Sequence, residues 1–110
     1  AYDISSTDVK GLLKDENLKL VSKSSLGTDF ISINTKKITD KRVRQAIELG
    51  VNKEDISTAV FEGMTELAPS LLAPSVFGYD KNVKLKPYDP EKARELLKEA
   101  GYENGLKLEL

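Results

Sequence analysis

The spacing of hydrophobic positions changes several times along the 110 residues, and each change marks an element. Tyr2-Asp3-Ile4 reads as the end of a strand. Ser5 to Asp8 has the S-x-x-D form of a weak capping box, and Val9, Leu12 and Leu13 follow at helical spacing, which predicts a short helix over about residues 6–14. Leu18, Leu20 and Ser22 then alternate with Lys19, Val21 and Lys23, the period of a half-buried strand. Leu26-Gly27-Thr28-Asp29 is a turn sequence, and Phe30 to Asn34 is a second segment rich in β-formers. The expectation is a central hairpin across residues 18–35.

Beyond Thr39-Asp40 the period becomes helical. Val43, Ala46, Ile47, Gly50 and Val51 fall on one face of a helix over residues 40–51. Asn52, with Asp55 three residues on, breaks that helix and caps a second one over 53–62, in which Ile56, Ala59 and Val60 are apolar and Gly63 is the stop. Residues 64–88 carry Pro69, Pro74 and Pro87 and have no period, so they read as a long loop; a loop of that length is usually functional or packed against something else. Asp89-Pro90-Glu91 is a strong helix start, Ala93, Leu96, Leu97 and Ala100 form its buried face, and Gly101 ends it. Leu106, Leu108 and Leu110 alternate with Lys107 and Glu109, so the chain stops inside a strand that is expected to join the same sheet, a sign that it is a piece of something longer. The order is a mixed α/β one.

Composition narrows the chemistry. The chain is 39% hydrophobic and 32% charged, an ordinary globular balance that fits one small domain. Seventeen basic against eighteen acidic residues give a net charge of −1, no field for a phosphate backbone. The absence of Cys and His removes thiol nucleophiles, disulfides, imidazole acid–base chemistry and the usual zinc or nickel ligands. No apolar run approaches the roughly 20 residues that span a bilayer. Glycines are scattered, with no phosphate-cradling spacing.

Three local patterns invite a functional reading, and each has a plainer one. Asp40 to Ile47 is charged and periodic; it suits a solvated helix face over Val43, Ala46 and Ile47. The alternative is a helix-corner-helix interaction or nucleic-acid-binding module, but the helix that would read bases, Lys53 to Glu62, is net acidic and repels phosphate. Glu54 with Asp55, and Asp3 with Asp8, are paired carboxylates; near a helix start the macrodipole accounts for them, and no pattern points to the separated pKa values that catalysis needs. Phe77, Tyr79 and Tyr88 sit in or beside the long loop, where aromatics either line a cleft or pin the loop to the body.

Taken in order, these segments resemble the solute-binding proteins of peptide, dipeptide and nickel ABC importers. Ile33-Asn34-Thr35 looks like that family's "lNt" strand end, Asp40 to Ile47 is similar to its "D-x-R-V-R-Q-A-I" helix start, and Asn52 to Ile56 is similar to the capped helix that follows, where Asp is more usual at the cap. Gly63, Pro74 and Gly78-Tyr79-Asp80 fall at its loop positions. Tyr88 to Tyr102 is similar almost residue for residue to "YDPEKAKELLAEAGY", and Asn104-Gly105 leads into the strand. The resemblance runs over the whole chain. Gly50 departs from the usual Ala, and the usual Pro-Pro of the loop is reduced to Pro74.

The resemblance implies an α/β architecture: a mixed sheet with flanking helices, part of one lobe of a two-lobed periplasmic-binding-protein-like fold. Residues 1–110 would be a single domain from the C-terminal lobe of a larger solute-binding protein, beginning near the crossing between lobes and stopping about halfway through the second. The implied function is capture of a peptide or similar small solute outside the membrane and delivery to ABC permease subunits, with no catalysis, no cofactor, no metal and no nucleic-acid partner. Contact with the membrane would run only through an anchor absent from these residues. Wall positions for the ligand are Asn34 and Thr35, at a strand end, and Pro74, Phe77 and Tyr79 in the loop.

Overall fold

The computed structural model describes residues 4–108. Its helices are α1 (Ser6–Leu12), α2 (Lys41–Gly50), α3 (Lys53–Phe61) and α4 (Pro90–Glu99). All four lie where the 3.6-residue period places them, within one or two residues at each end. The chain divides into two compact units: one holds residues up to Thr28 together with Lys53–Val83, the other Asp29–Asn52 and residues from Lys84 onward.

The second unit is an antiparallel helix pair. Val43 (2% exposed), Ala46 and Ala93 are buried where α2 meets α4, and their small size lets the two backbones approach. Each end of the pair carries a main-chain tie. The Asp89 N–H donates to Leu49 O (2.9 Å), joining the start of α4 to the last turn of α2. At the other end Arg42 Nη1 donates to Glu99 O (2.7 Å), where α4 leaves carbonyls without helical partners.

Both helices start on an aspartate. Asp40 accepts from the Arg42 N–H (2.8 Å) and Asp89 from the Lys92 N–H (2.9 Å), and Pro90 follows Asp89 at the first helical position. α4 ends in a Schellman turn: Tyr102 N–H donates to Leu97 O (2.8 Å), Gly101 N–H to Lys98 O (2.9 Å), and Gly101 takes φ +86°.

In the first unit α1 buries Val9. The expected capping box does not close: Ser5 makes no side-chain cap to the helix, and its Oγ pairs with Thr7 Oγ1 at 2.8 Å instead. Lys10 forms an ion pair with Glu62, which lies just beyond α3 and takes φ +55°, followed by Gly63 at φ +72°. Two left-handed residues in succession turn the chain sharply, and Ser57 Oγ then meets Thr65 Oγ1 at 2.8 Å. Residues 64–83 continue without helix, as expected for the loop.

The expected sheet is corrected by the structure. No strand is formed among the described residues. The hairpin at 18–35 is absent; Leu18–Ser22 and Phe30–Asn34 are irregular, and the division between the two units falls at Thr28, inside the expected turn. Residues 106–108 form no strand either, while Tyr2, Asp3, Glu109 and Leu110 lie outside the described residues. The reason is physical. A helix closes its hydrogen bonds within one segment, but a strand needs a partner, and two strands without further neighbours are marginal in water.

Candidate functional site

The five wall positions fall on two turns, one in each unit. In the second unit Asn34 opens the turn that leads into α2. Its Oδ1 accepts from the N–H groups of Lys36 (3.0 Å) and Lys37 (3.3 Å), and its carbonyl accepts from Ile38 N–H (2.8 Å). The Asn34 carboxamide oxygen is therefore committed to its own backbone, as short amide side chains are at turns. Thr35, next to it, is exposed, and its hydroxyl has no partner among the described residues.

In the first unit the loop makes two consecutive turns. Val76 N–H donates to Ala73 O (2.9 Å) and Tyr79 N–H to Val76 O (3.1 Å). Pro74 takes the second position of the first turn, where its fixed φ is an advantage. Phe77 and Gly78 are the central residues of the second, with Gly78 at φ +91°, the conformation that a type II turn demands of its third residue. Phe77 is thereby held at the tip of a tight turn, 102% exposed, while Tyr79 is half-buried and Ala73 is buried beneath. Pro74, Phe77 and Tyr79 are thus brought together on one short loop; Asn34 and Thr35 belong to the other unit.

None of the five lines the concavity of the first unit, about 510 Å³, whose walls include Ile4, Ser5, Ser22, Phe61, Met64 and Thr65. Its walls are half hydroxyl and half apolar, and they come from segments far apart in sequence, so no local pattern announces it.

The strongest electrostatic feature is at the start of α2. Arg42 grips the Asp40 carboxylate with Nε (3.1 and 3.2 Å) and Nη2 (2.6 Å). Hydrogen bonds from the Arg42 side chain and backbone N–H hold the Asp40 carboxyl below its ordinary range. Arg44 donates from Nη1 to the carbonyls of Ile38 (2.8 Å) and Thr39 (2.7 Å). Both arginines are thus bound into the scaffold. Glu54 and Asp55 stand in the first turn of α3, where the helix dipole favours them. Asp3, the other half of the second carboxylate pair, lies outside the described residues. Among the described residues no group of three or more His, Cys, Asp or Glu is placed to hold a metal ion.

Comparison with known proteins decides the family. The family model of the bacterial extracellular solute-binding proteins, family 5 (middle part), matches residues 1–110. The chain belongs to this family. It is 44% identical over 105 residues to di/tripeptide-binding protein 1 of Pseudomonas aeruginosa (strain UCBPP-PA14), covering 94% of this chain and 20% of that protein. It is 38% identical, with the same coverage, to the dipeptide-binding protein of Escherichia coli (strain K12). Among solved structures it is similar to the ABC transporter-associated periplasmic binding protein DppA from Helicobacter pylori in complex with peptide STSA. The TM-score is 0.76 and the identity 34%, over 92% of this chain and 20% of that one. The chain thus spans about a fifth of the length of these relatives. The likeness supports the periplasmic-binding-protein fold class, while the mixed sheet is not formed by the described residues.

Family 5 is a family of solute binders rather than of enzymes. Its two signature-like stretches in this chain encode scaffold. Asp40, Arg42, Val43 and Ala46 cap, tie and fill α2; Asp89, Pro90, Ala93 and Gly101 start, pack and stop α4.

Proposed function

We propose that this chain is part of an ABC-importer substrate-binding protein that captures peptides or similar small solutes outside the membrane and delivers them to permease subunits. The observation that carries the reading is the family match along all 110 residues together with 44% identity to a di/tripeptide-binding protein. The neighbour solved in complex with the peptide STSA supports a peptide as the ligand class. In this reading the protein does no chemistry. Two lobes close over the ligand, and the closed form is favoured because it alone contacts the ligand from both sides. Thr35, whose hydroxyl has no partner among the described residues, and the Pro74–Tyr79 loop are the candidate wall elements, each within its own unit; Asn34 shapes the turn that presents Thr35.

Calorimetric titration of the full-length protein with a library of di- and tripeptides tests this. Micromolar binding, with no hydrolysis products above a heat-killed control, is expected. Failure to bind any peptide, or reproducible turnover, would overturn it.

A further inference from the structure

The sequence holds five asparagines, and one of them, Asn104, is followed by glycine. The other four are engaged. Asn17 and Asn82 donate from Nδ2 to Asp15 Oδ1 (3.0 Å) and Asp80 Oδ1 (2.9 Å), Asn34 accepts at Oδ1 from its own turn, and Asn52 has a partner as well. Asn104 is exposed, and its carboxamide has no partner among the described residues. It is the third residue of a turn closed by Gly105 N–H donating to Tyr102 O (3.0 Å), directly after the Schellman end of α4. Gly105 has φ +97°, and a Cβ built on it would meet no described residue within 4 Å. The nitrogen that follows Asn104 therefore carries no shielding side chain of its own and opens on free space.

A main-chain nitrogen one residue beyond an asparagine can close an unstrained ring on the side-chain Cγ. We propose that Asn104 is a site of spontaneous deamidation through a succinimide. Gly105 N gives up its proton to water or hydroxide and attacks Cγ. The N–Cγ bond forms, the Cγ–Nδ2 bond breaks, and Nδ2 leaves as ammonia. Water then adds to one of the two imide carbonyls. Opening at Cγ leaves aspartate with the main chain intact. Opening at the main-chain carbonyl leaves isoaspartate, in which the chain runs through Cβ and Cγ. Gly105 N is tied to Tyr102 O in the closed turn, so the turn must open before the nitrogen can swing onto Cγ. An exposed turn opens at much lower cost than the packed helix pair beside it. Both products place a new negative charge beside Glu103, which pairs with Lys98 at 2.9 Å, and isoaspartate lengthens the backbone inside the turn. This reaction is separate from peptide capture. Attacker and target are adjacent in sequence, so it requires no group from outside these residues.

Ageing of the full-length protein at neutral and mildly alkaline pH, followed by proteolysis and mass spectrometry, tests the proposal. The fragment bearing Asn104 should gain the mass of NH2 replaced by OH, and chromatography should resolve both aspartate and isoaspartate. Its conversion should be at least about tenfold faster than that of any of the other four asparagines, because only Asn104 is followed by a residue without a side chain. It should quicken as pH rises. It should also be slower than in a synthetic peptide of residues 100–108, where no turn holds the Gly105 nitrogen. Asn104→Gln, which would have to close a larger ring, should suppress the change at this position. An unchanged Asn104 under conditions that convert the peptide would overturn the proposal, as would conversion at an equal rate at another asparagine. Aspartate without isoaspartate would overturn it too, since that product pattern means direct hydrolysis of the amide.

Discussion

Asp40 does three things with one carboxylate: it caps α2, holds the Arg42 guanidinium in a fork, and so aims Nη1 at the carbonyl end of α4. Because hydrogen bonds from Arg42 lower its pKa in the folded state, its contribution is fully present above the unfolded-chain value of about 3.9 and is lost as pH falls through the lower folded value. Replacement Asp40→Asn keeps an amide that can still cap but removes the ion pair. The variant should be less stable than the parent at neutral pH, and the difference should shrink to nothing under acid. Since the pair is exposed, the difference at neutral pH is also expected to fall with added salt. Thermal midpoints of both proteins between pH 2 and pH 7, at low and high salt, check all three statements. A two-dimensional NMR titration should place the Asp40 midpoint below the usual carboxylate range. Not every residue-scale reading survives: Ser5 looked like a cap in S-x-x-D form, but its hydroxyl pairs with Thr7. Three residues of spacing state an opportunity, and competing local partners decide whether it is used.

At the scale of elements, two glycines at helix ends make opposite predictions. Gly101 sits at φ +86°, so a side chain is strained there whatever the room; Gly101→Ala should cost about 1–2 kcal/mol. Gly50 ends α2 without a left-handed backbone, and a Cβ built on it would lie 3.9 Å from Ala93 Cβ, an ordinary contact. Gly50→Ala should stabilise by about 0.4–1 kcal/mol, mainly by restricting the unfolded chain. Paired denaturant melts of the two variants against the parent give both signs in one experiment. These helices were legible in the sequence because their information is local: Asp89-Pro90-Glu91 at the start of α4, the apolar face through Ala93, and Gly101 at its end all act within one segment. Leu18–Ser22 alternates and Phe30–Asn34 is rich in β-formers, yet the described structure has no strand there. Alternation fixes which side of a strand is apolar; it does not supply the neighbour that completes the ladder.

The same division between local and non-local information governs the candidate site of the whole molecule. The turn of Phe77-Gly78 and the bend at Asn34 are local, each closed by its own backbone, yet residue types alone mark residues 64–88 only as a loop and Asn34 only as a strand end. The hydroxyl-lined concavity could not be read at all, since Ser5, Ser22 and Thr65 meet only after folding. In the proposed reading, the groups opposite the wall positions come from the part of the protein beyond these residues, since the chain spans a fifth of its relatives' length. That sets an expectation for binding by the 110-residue chain itself. Micromolar affinity corresponds to about 8 kcal/mol, and each tenfold to about 1.4 kcal/mol. If a ligand enclosed between two lobes loses the contacts from one, about half of that free energy goes with them, and water reaches the polar groups left behind. The chain alone should then bind di- and tripeptides no better than about millimolar, while the full-length protein binds them about a thousandfold more tightly. Titration calorimetry on both, with the same peptide library, separates the outcomes. Micromolar binding by the 110-residue chain would place the whole site within these residues, and the hydroxyl-lined concavity would then replace Thr35 and the Pro74–Tyr79 loop as its location.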